Sequence, residues 1–305
     1  MPFTQRSYSG EADKLHMAAL ARQHAQEHLH VVDLPYRLSS WALNDPQNAV
    51  LWYDQDQQLA AWAVLQTPFW TVDYACRPSA EAELHPQILR WADQRAREIA
   101  NTAFGVPAWF VVVFADQAGR IADLEQAGFA CQADVGEDSW SKVLLRRPAQ
   151  EPVKVYQPPA GYTVRPLAGV GEVPGYVALH QAVFESKNMR SEWRAHTLQH
   201  PAYQPDLDLV VQAPDGRLAA FCIGWLDETS GAGQVEPLGC HADFRRYALG
   251  RVALSHVLQR LQARGAREIF VETDNYRNTA FRLYESFGFA VIQDVLVYRK
   301  DYPAE

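Results

Sequence analysis

CHADFRRYALGRVAL, residues 240–254, sets an arginine-rich loop between two regular elements. The residues before it, GQVEPLGC, read as a strand. From Leu249 to Arg264 apolar residues recur at helical spacing and stop at Gly265, a suitable C′ residue, so the spacing predicts a helix. A helix start exposes unpaired N–H groups at the positive end of its dipole. Ala248 and Gly250 are small enough for the backbone to approach a ligand closely, and Arg245, Arg246 and Arg251 supply charge-assisted donors. The pattern describes an anion site shaped for a phosphate or pyrophosphate. The same letters also describe a solvated basic loop that opens an ordinary helix, and the loop alone leaves both readings open.

Working outward, EIFVET reads as a buried strand, Asn278–Phe287 as a helix closed by Gly288, and AVIQDVLVYRK as a last strand or pair of strands. Upstream, YTVRPL is a short strand, Val173–Phe184 a helix, and a second helix runs through SEWRAHTLQH. LDLVVQA and RLAAFCIGWL, joined by Pro-Asp-Gly, form a hairpin. This order of elements predicts an α/β fold with a mixed sheet flanked by helices.

The segment YESFGFA (284–290) has a near twin in LEQAGFA (124–130), 160 positions earlier. GVPAWFVVV from Gly105 and GAREIFVET from Gly265 keep that offset, and FTQR from Phe3 matches YTVR from Tyr162 at an offset of 159. Islands at nearly one spacing indicate a duplicated domain. The proline-rich run Arg146–Gly161 predicts a stiff, extended linker. The expected division is residues 1–148, a linker over 149–160, and residues 161–305. In the first copy helices are expected near Gly10–Gln26 and Pro86–Asn101.

RRYALG after a strand resembles the acyl-CoA pyrophosphate loop, R/Q-x-x-G-x-G/A, of the GNAT acyltransferase superfamily, and NTAFRLYESFGF resembles that family's closing helix. The likeness covers about residues 234–290, the rest following by element order, and it departs at Ala248, where the family has a glycine. A methyl there crowds the ligand only if the residue takes positive φ. The resemblance implies two tandem GNAT-like domains in a mycothiol synthase-like arrangement, with acetyl-CoA as cosubstrate and a small amine as acceptor. It assigns Arg245, Arg246, Tyr247, Ala248, Leu249, Gly250 and Arg251 to the pyrophosphate. It assigns the strand edge Leu238, Gly239 and Cys240, splayed from Glu268–Thr273, to the pantetheine arm. Asn278 is placed near the pantetheine or phosphate, with Asn275 as its competitor. Tyr284 resembles the tyrosine that protonates the departing CoA thiolate, a phenol of pKa about 10 beside a thiolate of about 8.5.

A primary amine arrives as ammonium and needs a base to attack. Glu236 is the candidate, placed by strand alternation on the face of Gln234 and Leu238, with Pro237 marking an edge or bulge. His241 is a weaker candidate, and Asp227 and Glu228 are candidates to select a cationic acceptor. Phe184, Trp193, Tyr203 and Trp225 are expected as acceptor walls or core. The alternative function is a non-catalytic acyl-CoA sensor or scaffold.

The first copy reads as silent. Its equivalent loop, CRPSAEAELHPQIL (76–89), lacks the glycines, carries Glu81 and Glu83, keeps Arg77 as its strong cation, and has Leu124 in the tyrosine slot. A net charge of −8 and a pI near 5.7 disfavour broad binding to nucleic acid or anionic membrane. Four scattered cysteines at no metal-binding spacing read as reduced thiols. With no apolar leader in MPFTQRSYSG and no run long enough to span a bilayer, the expected location is the cytoplasm. The oligomeric state has no sequence signal.

Overall fold

The computed structural model describes residues 3–133, 141–275 and 278–302, and of Asn278 only its place in a helix. The chain forms two compact units. One comprises residues 1–143, 274–276 and 293–305, the other 144–273 and 277–292.

The first unit contains β1 (Thr4–Ser7), α1 (Glu11–Gln23), α2 (Leu34–Arg37), β2 (Ala49–Tyr53), β3 (Leu59–Gln66), β4 (Thr71–Cys76), α3 (Pro78–Ile99), β5 (Ala108–Phe114), α4 (Ala118–Gln126) and β6 (Ala130–Cys131). Its sheet runs β1-β2-β3-β4-β5-β13, where β13 is the strand Ala290–Asp301 from the end of the chain. β13 pairs antiparallel with β5 from Val295↔Phe114 to Asp301↔Ala108. β3 is buried almost throughout, as its unbroken apolar run LAAWAVLQ requires of a central strand. Helix α3 begins at Pro78, eight residues before the expected start, and Pro86 lies inside it. Pro78 presets the first turn. The buried stripe Leu84, Ile88, Leu89, Ala92, Ala96 and Ile99 carries the helix through Pro86 despite a lost amide donor. The segment read as a loop is therefore mostly helix.

The second unit contains β7 (Ser141–Pro148), β8 (Thr163–Pro166), α5 (Val173–Phe184), α6 (Ser191–Gln199), β9 (Asp208–Gln212), β10 (Leu218–Asp227), β11 (Ala232–Cys240), α7 (Leu249–Ala263), β12 (Glu268–Asp274) and α8 (Asn278–Glu285). Its strand order is β7-β12-β11-β10-β9-β8. The Asp-Gly hairpin forms between β9 and β10, with Gly216 at φ 86 in the turn. Leu254, Val257, Leu258 and Leu261 of α7 are buried, and α7 packs so closely on β10 that a Cβ on Gly224 would lie 2.8 Å from Val257 Cγ1.

The units are not the two consecutive blocks that the repeat suggested. Residues 144–148, expected at the end of the first block, are grouped with the second unit, and 293–305 with the first. SKVLLRRP and AVIQDVLVYRKD both alternate as strands, so each suits either sheet edge, and local sequence does not say which. The expected linker over 149–160 is grouped with the second unit and lies along its surface, half-buried or exposed after Ala149. Buried Arg147 bonds the carbonyls of Phe287, Glu151 and Pro152, and the Tyr156 amide donates to Ser255 Oγ at 3.1 Å.

Candidate acyl-CoA site

Strands β11 and β12 run parallel and pair at Ala232↔Glu268, Gly233↔Ile269 and Gln234↔Phe270. β11 then continues to Cys240 while bonded on its other side to β10 as far as Ala220↔Cys240. Among the described residues, no pairing to β12 follows Gln234. Beyond Gln234 that side of β11 is therefore a strand edge of the kind an extended ligand can join like an added strand.

The register of β11 on β10 jumps from Gly224↔Val235 to Cys222↔Leu238, one extra residue on β11. This bulge holds Glu236 and Pro237, as Pro237 suggested, and Trp225 Nε1 donates to the Glu236 carbonyl at 2.7 Å. The bulge breaks the simple alternation used to set Glu236 on the face of Gln234 and Leu238. Glu236 is half-buried, and so are Leu238 and Cys240. Gly239 is required by close packing: a Cβ there would come within 2.5 Å of the Phe221 ring and 2.7 Å of Val183.

After β11 the chain makes a 3-10 turn, Ala242–Tyr247, capped by His241, whose Nδ1 accepts the Asp243 amide at 3.2 Å. That bond gives His241 a structural task in place of the base role. Ala248 follows at φ 56, ψ 28, in the left-handed region, and α7 starts at Leu249. A non-glycine residue there is strained by about 1 kcal/mol, so the methyl that departs from the family pattern sits in the conformation that favours glycine. Gly250 lies in the first turn, and a methyl on it would meet nothing nearer than Cys240 Cβ at 4.0 Å. Packing within the protein does not demand that glycine. Arg245 and Arg246 are exposed, with Arg246 against Tyr247, whose hydroxyl it bonds at 3.2 Å. Arg251 is half-buried and lies over the Tyr156 ring at 5.5 Å.

Tyr284, on α8, is 6% exposed, its ring edge-on to Phe289 at 5.8 Å. Burial pushes its pKa well above the ordinary value, and the charges of Cys222 and Glu236 push the same way, so the phenol keeps its proton. These influences connect Tyr284 electrostatically with the β11 bulge. Gly288 (φ 83) closes α8, with the Phe289 amide bonded to the Tyr284 carbonyl at 3.3 Å. Gly128 (φ 84) closes α4 in the same way, with the Phe129 amide on the Leu124 carbonyl at 3.0 Å. The repeated Gly-Phe-Ala is thus a helix-ending device, and of the differences before it the loss of a hydroxyl from Tyr284 to Leu124 is the one that removes an acid. Leu124 is fully buried in the first unit's core.

Asn275 falls in the first unit. It is exposed and bonds Ser141 through its amide N–H at 2.9 Å and its side chain at 3.4 Å. The side chain of Asn278 lies outside the described residues. Asp227 accepts from Ser230 Oγ at 2.7 Å and from the Thr229 amide within a turn. Trp193 and Trp225 are buried, and Phe184 is partly exposed.

One cluster had no motif to announce it. Arg194 of α6 is fully buried, paired with Asp208 and stacked over Tyr176 at 3.9 Å, while Tyr203 donates to Asp208 at 2.7 Å. Tyr176 also feels the charge of Glu236, and its pKa is raised by burial. An Asp opening the apolar strand DLVVQ was the available signal. Among the described residues no group of His, Cys, Asp and Glu is suited to a metal ion, and no helix is long and apolar enough to cross a membrane.

Residues 174–289 match the acetyltransferase (GNAT) family. A mycothiol acetyltransferase from Thermobispora bispora is 25% identical over 166 residues, 51% of this chain and 56% of that protein, so the chain spans about half the length of the curated relatives it matches. Among solved structures, a GCN5-related N-acetyltransferase from Sphaerobacter thermophilus superposes with a TM-score of 0.67 at 19% identity, over 99% of this chain and 97% of that one. A tandem GNAT protein from the clavulanic acid biosynthesis pathway superposes with a TM-score of 0.64 at 12% identity, over 100% and 99%. The fold is a tandem GNAT fold.

Proposed function

We propose, for a chain whose residues 174–289 match the acetyltransferase (GNAT) family, that the second unit moves an acetyl group from acetyl-CoA to the amine of a small molecule by direct attack. The convergence of β11, which runs on past its last pairing with β12 at Gln234, on the amide-bearing start of α7 carries this reading, Cys240 Cβ standing 4.0 Å from where a methyl on Gly250 would lie. A pantetheine arm bonds the edge, and the pyrophosphate sits on the amides of Leu249–Arg251, backed by Arg245, Arg246 and Arg251.

In the reaction the amine nitrogen attacks the thioester carbonyl, the C–S bond breaks, and sulfur leaves as thiolate. Tyr284 gives that sulfur a proton. The burial that raises the phenol's pKa raises the thiolate's as well, so donor and acceptor stay matched. Glu236 takes the proton lost by the amine, directly or through water. The side chain of Asn278 would assist the arm. The acyl-CoA pool and four unbridged cysteines fit a cytoplasmic setting.

Calorimetry with coenzyme A, followed by CoA release over an amine panel, tests the reading. Binding together with turnover supports it. Binding without turnover on any amine favours a sensor, a role consistent with the strained Ala248. No binding refutes both.

A further inference from the structure

The first unit holds an unassigned cavity. Its parallel strands β4 and β5 pair at Thr71↔Phe110. Further along, α3 and α4 are linked to each other: Arg120 makes a bidentate pair with Glu81 at 3.0 and 2.6 Å, and His85 bonds Asp123 at 2.8 Å and the Tyr74 hydroxyl at 3.1 Å. Beside these links lies a cavity of about 40 Å³, lined by His28, Trp62, Asp73, Tyr74, Gln117 and Arg120 among others. At roughly 10–15 Å³ per water it admits a head group of only a few heavy atoms.

Most polar groups on its wall are committed. Arg120 also donates to the Glu27 carbonyl at 2.6 Å, Gln117 Nε2 bonds the same carbonyl at 3.1 Å, and Asp73 is held by Arg37 at 2.7 and 2.8 Å. His28 is the exception. It is 9% exposed, and its Nε2 has no hydrogen-bond partner among the described residues. Burial and the nearby Arg120 hold its pKa down to about 3, so the ring is neutral. A hydrogen bond with the Cys76 backbone favours the ring's protonated form, so one ring nitrogen is the donor there. Nε2 is then left with a lone pair that needs a donor. Next to it His30, also on the wall, bonds Asp33 Oδ2 at 3.0 Å, while the buried Asp33 Oδ1 has no partner among the described residues. Asp33 is not on the wall, so His28 Nε2 is the orphaned acceptor that faces this cavity, and it costs stability until a donor meets it.

We propose that the first unit binds a small molecule through an amine-bearing head placed in this cavity, with His28 Nε2 accepting its hydrogen bond. A carboxylate would bring only lone pairs to His28 Nε2, which already lacks a donor. The site is separate from the acetyl-transfer chemistry and stands without it.

The test uses the full chain labelled with [15N]histidine. Ethylammonium chloride and, separately, sodium acetate are titrated while the His28 Nε2 resonance, assigned by its loss in His28→Leu, is followed by NMR. A saturable shift with ethylammonium and none with acetate is expected, unchanged by saturating coenzyme A and by Tyr284→Phe. Calorimetry should show ethylammonium binding weakened about tenfold or more in His28→Leu. His28→Gln, which keeps an acceptor oxygen, should retain binding within a few-fold. An unmoved resonance with ethylammonium, an equal response to acetate, or a response abolished by Tyr284→Phe overturns the assignment. Should His28→Leu fail to fold, loss of binding in the folded His28→Gln protein overturns it as well.

Discussion

Replacing Gly250 with alanine separates the protein's own needs from those of its ligand. Gly250 is the second residue of α7, and a methyl built on it meets nothing closer than Cys240 Cβ at 4.0 Å. Its backbone is helical, so alanine fits without strain and reduces the freedom of the unfolded chain. Near a helix end the gain should be about 0.5 kcal/mol, or roughly 1–2 °C in the melting of this unit. If the amides of Leu249–Arg251 hold a pyrophosphate, the same methyl stands where phosphate oxygens must approach the backbone. Displacing one charge-assisted hydrogen bond costs about 1.5–3 kcal/mol, or roughly ten- to a hundredfold in coenzyme A affinity. Calorimetric unfolding and coenzyme A titration on one preparation read both quantities. Stability should rise while affinity falls. A protein that melts higher and binds coenzyme A as tightly as before would refute the placement of the pyrophosphate.

Ala248→Gly should relieve the left-handed strain and stabilise the second unit by about 1 kcal/mol, measured by denaturant unfolding. Tyr284→Phe should lower kcat by about a hundredfold or more, with the coenzyme A Kd nearly unchanged, in steady-state kinetics and calorimetry. Leu124→Tyr should destabilise the first unit by about 1–3 kcal/mol, because a fully buried site must take extra volume and a hydroxyl; thermal unfolding reads the loss. His28 and His180 both have pKa values pushed down to about 3 by burial, below the ordinary 6.5. The unfolded chain therefore takes up protons first as pH falls. Stability is complete above about pH 6.5 and declines toward pH 3, by up to about 1.4 kcal/mol per pH unit for each ring. His180→Phe should flatten that decline in denaturant titrations at stepped pH.

The second unit was largely legible because its signals are local. The helix from Leu249 depends on apolar spacing and Gly265, and the hairpin on Asp-Gly. Each involves residues a few positions apart. The grouping of β7 and β13 involves residues whose partners lie far along the chain, and both segments alternate equally well, so nothing local chooses between sheets. The alternation used to place Glu236 breaks down for a related reason. Alternation is a property of unbroken strands, and the extra residue opposite Ile223 is visible only once β10 is aligned with β11. Pro237 hinted at the break without giving its direction. Arg194 was missed because a helical arginine normally reads as a solvated face, whereas its burial depends on Asp208 and Tyr176 meeting it from other elements.

The two copies show what duplication kept and what it released. The helix endings at Gly128 and Gly288 agree in φ and in their hydrogen bonds, so the folding device survives in both. The surroundings of the two parallel strand pairs, β4–β5 and β11–β12, do not agree. In the first unit, ion pairs and a His–Asp–Tyr chain join α3 to α4 beside the parting strands. In the second, β11 keeps an edge unpaired toward β12, and an alanine is held in a strained conformation beside it. Bare edges and left-handed alanines both lower stability. Among the described residues the first copy too pairs β4 with β5 only at Thr71↔Phe110, so the open edge is shared, and what sets the second copy apart is the left-handed Ala248 before α7, where the first copy enters α3 from an extended Arg77. A strained entry is kept where a ligand meets the helix start, so the second unit is the one in which to look for chemistry, and Tyr284 occupies the slot of that unit that its copy fills with Leu124.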